Sequence, residues 1–330
     1  MTKAEDGEVN LGFEAKYLKN KREKRPVRLS DFHTHFETLS ENSNLLLSKA
    51  YQELNAASPK FSTSDSELEE TRMKNRYTNI LSFNKTRVKL VGADDEPGSD
   101  YINANYIPGC SSGREYIATQ GPLTSTINDF WRMIWEQNAS IIIMLTQCTE
   151  RGRKKCEQYW PKDISESLFY DDIVVQMESE SHLPDFILRT FVLRLGDSEK
   201  RVRHYYYLLW PDMGIPASTD YMLRFVDSVR KDIRRDMIGP IVVHCSAGVG
   251  RTGTYIIIDT IIRKIQSGED NIDIFGDILN LRNCRVNMVQ TESQFVYIHK
   301  CIHDYLMPVA KNSDGLYQIY ENLSDEGTVV

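Results

Sequence analysis

Cys245 and Arg251 are the two residues whose types and spacing could do chemistry together. Small or apolar residues separate them, namely Ser246, Ala247, Gly248, Val249 and Gly250. A thiol beside an arginine and a helix N-terminus favours its thiolate form, which is the nucleophile. The planar guanidinium of Arg251 can hold two oxygens of one phosphate group. The spacing predicts a sulfur nucleophile directed at phosphorus, with the hydroxyl of Thr252 as a donor to that sulfur.

The elements around this pair would bring the two side chains together. Ile241 to Val243 is a short apolar, β-branched run, which is typical of a buried strand. Thr252 to Ile265 has the isoleucine-rich pattern of a helix that ends near Gly268. A strand, a tight loop and a helix N-terminus direct several backbone N–H groups at one point. The stretch therefore predicts an anion site.

Two other interpretations of this stretch stay open on the residues alone. Cys245 could be a structural cysteine beside a helix-capping turn, because free cysteines are often core residues. The stretch also satisfies G-x-G-x-x-G between a strand and a helix, with an acidic pair at about the distance of a ribose contact. The residues concerned are Gly248, Gly250 and Gly253, followed by Glu269 and Asp270. That glycine pattern alone is common, and Arg251 has no part in it.

The run from His244 to Thr252 resembles the signature loop of the protein tyrosine phosphatases, His-Cys-x5-Arg-Ser/Thr. The resemblance extends from about Asp31 to Leu306 and implies their α/β fold, a single domain with a central twisted mixed β-sheet flanked by helices. It implies hydrolysis of phosphotyrosine through a cysteinyl-phosphate on Cys245. Arg251 and the loop residues between them would hold the phosphate. No metal or other cofactor is implied.

The implied reaction needs a proton donor, because the leaving phenolate has a conjugate acid with a pKa of about 10. Asp212 lies in the turn-forming segment Trp210 to Pro216. A lone aspartate in a loop is most often a turn or capping residue. This segment, however, resembles the mobile Trp-Pro-Asp loop of the family. The resemblance makes Asp212 the acid of the first step and the base of the second.

Further residues of the substrate cleft rest on the resemblance. Tyr77, in the segment Lys-Asn-Arg-Tyr, is expected to stack on the substrate ring and to set the depth of the cleft. Asn79 stands where many family members carry an aspartate that binds the substrate backbone. Gln290 is expected to orient the hydrolytic water, with Gln294 as a lesser partner.

One charged loop is expected to border the site. By itself, Glu150 to Pro161 reads as a solvated hairpin tip. The resemblance implies that Glu150 pairs with Arg251 and fixes the orientation of its guanidinium. It also implies that Lys155 approaches the Trp-Pro-Asp loop.

Composition limits the class of protein. The chain has 330 residues, a net charge of -7 and a pI of about 5.6, so a nucleic-acid partner is not suggested. Its six cysteines lack pairing or metal-type spacing, which fits free thiols in a reducing compartment. No apolar run approaches the ~20 residues that span a bilayer, and the polar N-terminus is unlike a signal peptide. These features predict a soluble, cytosolic polypeptide.

Hydrophobic periodicity predicts the remaining elements. Helices are expected at residues 31–54, 221–235, 272–281 and 295–306. Antiparallel strands are expected at residues 173–177, 186–193 and 202–209. Ile141 to Leu145 is typical of a central strand covered on both faces. Ser58 to Glu70 is expected to be a polar loop.

The two ends are expected to lie outside the catalytic domain, which is assigned to residues 31–308. Residues 1–30 form a polar arm whose basic run, Lys19 to Arg25, is either solvated or drawn to anionic lipid beside a membrane. Residues 309–330 form a flexible tail that carries Tyr317 and Tyr320. Once phosphorylated, Tyr320 resembles a docking site for SH2 adaptors, and a tail without a binding role is the alternative.

Within the family, residues 43–49, 100–108 and 285–290 look most like the receptor phosphatases with a single catalytic domain. These are the vascular endothelial (beta) type and its insect neuronal counterparts. The resemblance implies the cytoplasmic domain of a single-pass plasma-membrane protein, attached through a span outside this sequence. Its substrates would be phosphotyrosine proteins such as receptor tyrosine kinases and signalling adaptors. A catalytically silent phosphotyrosine-binding module is the alternative, and the presence of Cys245, Arg251, Asp212 and Gln290 speaks against it.

Overall fold

The computed structural model describes residues 26–92, 97–233 and 239–307. The described strands are, in chain order, β1 (Val27–Arg28), β2 (Arg87–Lys89), β3 (Tyr101–Ile107), β4 (Tyr116–Thr119), β5 (Ile141–Met144), β6 (Thr149–Glu150), β7 (Arg153–Lys154), β8 (Ser167–Tyr170), β9 (Ile173–His182), β10 (Phe186–Leu195), β11 (Ser198–Tyr207), β12 (Ile241–His244) and β13 (Asn271–Ile272). The described α-helices are α1 (Phe32–Ala57), α2 (Ser64–Glu67), α3 (Glu69–Arg72), α4 (Ile127–Glu136), α5 (Thr219–Asp232), α6 (Gly250–Gln266), α7 (Ile274–Arg282) and α8 (Glu292–Leu306).

Nine strands form one mixed sheet in the order β2-β3-β4-β12-β5-β11-β10-β9-β8. β12 lies between β4 and β5 and is parallel to both, and β11 is parallel to β5. The outer strands β8 to β11 pair antiparallel, as predicted from their alternation. The predicted α/β architecture, a mixed central sheet flanked by helices, is confirmed. Its topology places the carboxyl end of β12 in the middle of the sheet.

Consecutive side chains of β12 are buried on opposite faces of the sheet. Ile241 and Val243 pack in the core that contains the apolar faces of α1 and α5 to α8, whereas Val242 packs in the core beneath α4. A strand covered on both faces needs apolar side chains at every position, which explains the continuous β-branched run. Burial of each such side chain contributes about 1.5–3 kcal/mol, so the strand that precedes Cys245 is firmly fixed.

The predicted helices are present, with boundaries set by capping. α5 begins at Thr219, because the side chain of Ser218 accepts a hydrogen bond from the N–H of Asp220. α8 begins at Glu292, because Thr291 and Gln294 form a capping box. These polar signals extend both helices beyond their apolar periodicity.

Two local expectations differ from the structure. The polar loop predicted from Ser58 to Glu70 contains the short helices α2 and α3, so that prediction is wrong in part. Ser66 is buried there and hydrogen-bonds to Ser82, a tertiary contact that periodicity does not reveal. α1 is interrupted at residues 41–44, where three consecutive residues adopt a positive φ. Asparagine, which tolerates this conformation, occupies two of those positions.

The described residues contain no helix both long and apolar enough to cross a bilayer. All six cysteines are free. The basic run from Lys19 to Arg25 and the tail tyrosines Tyr317 and Tyr320 lie outside the described residues.

Candidate active site

The loop between β12 and α6 forms the floor of the candidate site. Cys245 is only 5% exposed, and its sulfur accepts a hydrogen bond from the N–H of Gly248 at 3.3 Å. The first N–H groups of α6 have no intrahelical acceptor, so the N-terminus of this helix attracts an anion. The sulfur therefore lies near the N-terminus of α6, where backbone N–H groups without intrahelical acceptors are available to an anion.

Two glycines of this loop and helix are required by close contacts. Gly248 has a φ of +71°, and a Cβ there would lie 2.1 Å from the carbonyl oxygen of Thr119. A Cβ on Gly253 would lie 2.5 Å from the backbone nitrogen of Val289. Both positions bring the backbone against a neighbouring segment, which explains these glycines without a dinucleotide.

Arg251 is held by a carboxylate on one side. Its Nη1 donates to Oε1 of Glu150 at 2.6 Å, and its Nη2 donates to Oε2 at 3.0 Å. Burial acts to raise the pKa of Glu150, but the hydrogen-bonded guanidinium outweighs burial and holds that pKa below its ordinary value. Nη1 also donates to the carbonyl oxygen of Leu145 at 3.1 Å. The guanidinium is therefore fixed in one plane beside the loop.

The Trp-Pro-Asp loop is docked against the same guanidinium. Nη2 of Arg251 donates to the carbonyl oxygens of Pro211 at 3.2 Å and Asp212 at 3.3 Å. The Arg251 guanidinium also lies 5.8 Å from the ring centre of Trp210, within range of a cation–π contact. The half-buried carboxylate of Asp212 forms an ion pair with Nε of Arg151 at 2.8 Å. The loop thus packs directly against the guanidinium of Arg251.

Tyr77 is tied directly to the loop that carries Cys245. Its hydroxyl lies 2.8 Å from Oγ of Ser246, and that Oγ lies 2.9 Å from the carbonyl oxygen of Lys155. A hydroxyl has one proton to donate, and a carbonyl only accepts. Ser246 therefore donates to Lys155, and Tyr77 donates to Ser246. This chain of hydrogen bonds holds the half-buried Tyr77 ring beside the loop.

Lys155 does not pair with the general-acid loop. Its side chain is half-buried and forms no ion pair with Asp212, which contacts Arg151 instead. Asn79 is exposed on the surface beyond Tyr77. The structure therefore brings Tyr77 and Glu150 to the loop.

Gln290 and Gln294 lie beside the start of α6 and differ in exposure. Gln290 is exposed, and Oε1 of Gln294 accepts its backbone N–H at 2.9 Å. Gln294 is buried, and its amide would lie 3.0 Å from a Cβ on Gly250. Gln294 thus supports the turn that presents Gln290, and only Gln290 is free to meet solvent.

Thr252 is fully buried. Its hydroxyl has no hydrogen-bond partner among the described residues. Buried hydroxyls are normally satisfied, so this one retains a proton for an acceptor in the site.

Arg285, to which the sequence assigned no role, lies beneath the catalytic loop. It is fully buried, and it donates to the carbonyl oxygens of Gly248 at 2.9 Å and Ala247 at 3.1 Å. The side-chain oxygens of Asn103 and Asn105 accept its remaining donors at 2.7 Å. Burial lowers the pKa of Arg285 to about 10, so it remains a cation at neutral pH. A fixed positive charge therefore lies under the anion site.

His244 supports the nucleophile from the strand side. Its Nδ1 lies 3.2 Å from the carbonyl oxygen of Cys245, and its Nε2 lies 2.8 Å from the hydroxyl of Tyr159. The same hydroxyl lies 2.9 Å from Nε2 of His204. Burial lowers the pKa of His244 to about 4, against the opposing effect of its bond to Cys245, so His244 is neutral at physiological pH.

This arrangement places a thiol and the N-terminus of α6 on one loop, with the fixed guanidinium of Arg251 and the backbone of Asp212 in contact beside it. It can hold a phosphate ester, attack its phosphorus and protonate a leaving oxygen. The described residues contain no group of three or more His, Cys, Asp or Glu side chains that could hold a metal ion. The site defines a cysteine-based phosphatase.

Comparisons with known proteins agree with this class. A sequence profile described as Protein-tyrosine phosphatase matches residues 71–304. The receptor-type tyrosine-protein phosphatase eta of Gallus gallus is 43% identical over 90% of this chain and 22% of its own length. The human protein of that name is 42% identical, over 90% of this chain and 23% of its own length. The human phosphatidylinositol phosphatase PTPRQ is 40% identical over 93% of this chain and 13% of its own length.

The chain therefore belongs to the protein-tyrosine phosphatase family. It is similar to the catalytic domains of receptor-type tyrosine phosphatases, and membership of this family implies a phosphatase of the cysteine class. It spans only about a quarter or less of the length of the relatives it matches.

Proposed function

We propose that the chain hydrolyses phosphotyrosine in proteins with Cys245 as nucleophile, Arg251 as phosphate clamp and Asp212 as general acid and base. One observation carries this assignment. The guanidinium of Arg251, fixed by both oxygens of Glu150, also holds the backbone of Asp212, so the clamp and the acid lie on one side of the catalytic loop.

The first step transfers the phosphoryl group to sulfur. The thiolate of Cys245 bonds to phosphorus as the bond to the phenolic oxygen breaks, and the proton of Asp212 moves to that oxygen. The N–H groups of loop residues 246–250 and the guanidinium of Arg251 stabilise charge on the equatorial oxygens. The preorganisation of Arg251 by Glu150 supports this step.

The second step releases phosphate. Gln290, which is exposed beside the start of α6, orients a water molecule, and the carboxylate of Asp212 accepts its proton as the water attacks phosphorus. The sulfur leaves as a thiolate, to which the unpartnered hydroxyl of Thr252 donates. Gln294 supports the turn that carries Gln290.

The cleft selects the aromatic ester by depth. Tyr77, fixed to Ser246, forms the wall against which the substrate ring stacks. Phosphoserine is shorter, so its phosphorus would not reach Cys245. Asn79 at the exposed rim and the half-buried Lys155 are proposed as contacts for the substrate chain.

The purified chain tests this proposal. We expect it to hydrolyse a phosphotyrosine peptide without added metal and to spare the phosphoserine peptide of the same sequence. Cys245→Ser should abolish turnover while the peptide still binds. Asp212→Ala should lower kcat far more than it changes KM. Wild-type turnover in Cys245→Ser would refute the proposed nucleophile.

Phosphatidylinositol phosphates should be tested as substrates in the same experiment, because one relative is named a phosphatidylinositol phosphatase. We expect the phosphotyrosine peptide to have the higher kcat/KM, since a flat aromatic ring fills the slot beside Tyr77. A higher kcat/KM for phosphatidylinositol phosphates would reverse the substrate assignment and leave the chemistry unchanged.

We propose that the whole protein is a receptor phosphatase that opposes tyrosine kinase signalling. Residues 1–30 would form the juxtamembrane arm, residues 31–308 the cytoplasmic catalytic domain, and residues 309–330 the tail in which phosphorylated Tyr320 binds an SH2 adaptor. A span outside this sequence would anchor the protein in the plasma membrane. The similarity of residues 43–49, 100–108 and 285–290 supports the vascular endothelial (beta) subgroup and its insect neuronal counterparts. Trapping with Asp212→Ala, followed by identification of the bound phosphoproteins, tests for receptor kinases and adaptors among the substrates.

A further inference from the structure

Arg151 has no part in the steps proposed above, yet it contacts the general acid directly. Its Nε lies 2.8 Å from Oδ2 of Asp212. Within the described part of the chain, no second ion pair reaches that carboxylate. Arg251 holds the backbone of the same loop through the carbonyl oxygens of Pro211 and Asp212, but it does not orient the carboxyl group. The direction of that group therefore depends on Arg151.

Glu150 and Arg151 are consecutive in the chain and point in opposite directions. The side chain of Glu150 is 4% exposed and holds Arg251, whereas that of Arg151 is 70% exposed and holds Asp212. Arg151, at a φ of +46°, and Gly152, at +71°, are the central residues of the turn between β6 and β7. Such two-residue turns favour Asn, Asp or Gly, so an arginine at the first position is unusual.

The result is a closed ring of contacts. Glu150 holds the guanidinium of Arg251, which holds the backbone of Asp212, whose carboxylate pairs with Arg151. The peptide bond between residues 150 and 151 completes the ring. The hairpin between β6 and β7 thus contacts both Arg251 and Asp212.

We propose that Arg151 is a positioning residue for the general acid, an inference that rests on the proposed role of Asp212. Arg151 holds the carboxyl group beside Arg251 when the loop is closed. During the first step the sulfur of Cys245 bonds to phosphorus, the phenolic oxygen leaves, and the proton of Asp212 moves to that oxygen. The ion pair then re-forms with the carboxylate.

The dependence of rate on the leaving group tests this role. Arg151→Gln should lower kcat/KM for a phosphotyrosine peptide about two- to fivefold, the effect of one exposed ion pair. 2,4-Dinitrophenyl phosphate should keep its wild-type kcat/KM, because its phenolate leaves without protonation. A variant that merely disturbed the phosphate pocket would slow both substrates alike.

Neighbouring cations provide the controls. Arg153 is an exposed arginine on the same hairpin, so Arg153→Gln makes the same change of charge and should leave both rates unchanged. Arg151→Lys keeps the charge and should recover most of the rate with phosphotyrosine. Salt should narrow the difference between wild type and Arg151→Gln, because it screens an exposed pair.

The outcomes separate this inference from the function on which it rests. Asp212→Asn should slow the phosphotyrosine peptide selectively and more strongly than Arg151→Gln. If Asp212→Asn slows only the phosphotyrosine peptide but Arg151→Gln slows both substrates or neither, Arg151 does not position the acid. If Asp212→Asn is not selective either, the acid role itself fails. If Lys155→Gln lowers kcat/KM for the phosphotyrosine peptide alone and Arg151→Gln does not, Lys155 is the residue that positions the acid. That result would overturn the inference.

Discussion

Arg251 and Glu150 meet through two parallel hydrogen bonds, although 100 residues separate them in the chain. The carboxylate is almost completely buried, so water cannot replace it as a partner of the guanidinium. The guanidinium of Arg251, the proposed phosphate clamp, therefore has its orientation before any substrate binds.

Glu150→Gln should lower kcat/KM for phosphotyrosine about ten- to a hundredfold. The amide keeps the shape of the side chain but removes the charge, and a hydrogen bond to a charged group contributes about 1.5–3 kcal/mol. Steady-state kinetics measure the effect. Glu178→Gln is the control, because Glu178 pairs with Arg201 on the exposed face of the sheet. Equal kinetics in Glu150→Gln and wild type would show that Arg251 needs no buried partner.

Gly248→Ala should abolish activity and destabilise the fold by several kcal/mol. The new Cβ would meet the carbonyl oxygen of Thr119 at 2.1 Å, and the positive φ adds about 1–2 kcal/mol of strain. Urea denaturation and kinetics report the two effects. Gly196→Ala is the matched control, because Gly196 has a φ of +54° and nothing within 4 Å of its added Cβ. That variant should lose only the roughly 1–2 kcal/mol of stability that the strain costs, and it should keep its activity.

Arg285→Met should lower the free energy of unfolding by several kcal/mol, because each buried acceptor left without a donor costs about 1–3 kcal/mol. Methionine has a similar length, but four acceptors below the catalytic loop would lose their donors. We expect kcat/KM to fall as well, since the loop would lose its support. Arg201→Met, at an exposed arginine, should change the free energy of unfolding by less than about 0.5 kcal/mol. A stable and fully active Arg285→Met variant would contradict the proposed support.

The free energy of unfolding should decrease as the pH falls from about 6.5 to 4. Burial lowers the pKa of His244 to about 4, whereas a histidine in the unfolded chain titrates at about 6.5. Between these values the unfolded chain binds more protons than the folded one. The free energy of unfolding therefore decreases as the pH is lowered, by up to about 1.4 kcal/mol per pH unit for one such histidine.

Urea denaturation at about pH 7, 6 and 5 measures this slope. His244→Gln should flatten it, and the remaining slope is expected to include His204, whose pKa burial also lowers. An unchanged slope in His244→Gln would show that its protonation does not limit stability.

The sequence predicted the central part of the site well, because local signals specify it. The apolar run before Cys245 and the isoleucine-rich helix after Arg251 encode β12 and α6 directly. The contact of Glu150 with Arg251 came only from the family resemblance, since no spacing connects residues so far apart.

Other parts of the site depend on tertiary contacts that periodicity does not show. Arg285 looks like an ordinary polar residue between two helices, and only the fold buries it beneath the loop. Arg151 was hidden for another reason. Its contact with Asp212 depends on a turn in the left-handed region, where arginine is seldom found, whereas Lys155 was expected there only from the family resemblance.

The cation at Arg285 has a consequence for inhibitors. Its guanidinium is fully buried beneath residues 247 and 248, so solvent screens its field at the loop only weakly. Attraction for a doubly charged head group therefore does not depend on direct contacts alone. Compounds that replace phosphate with a singly charged acid would lose about half of that long-range attraction, however well they reproduce the visible hydrogen bonds.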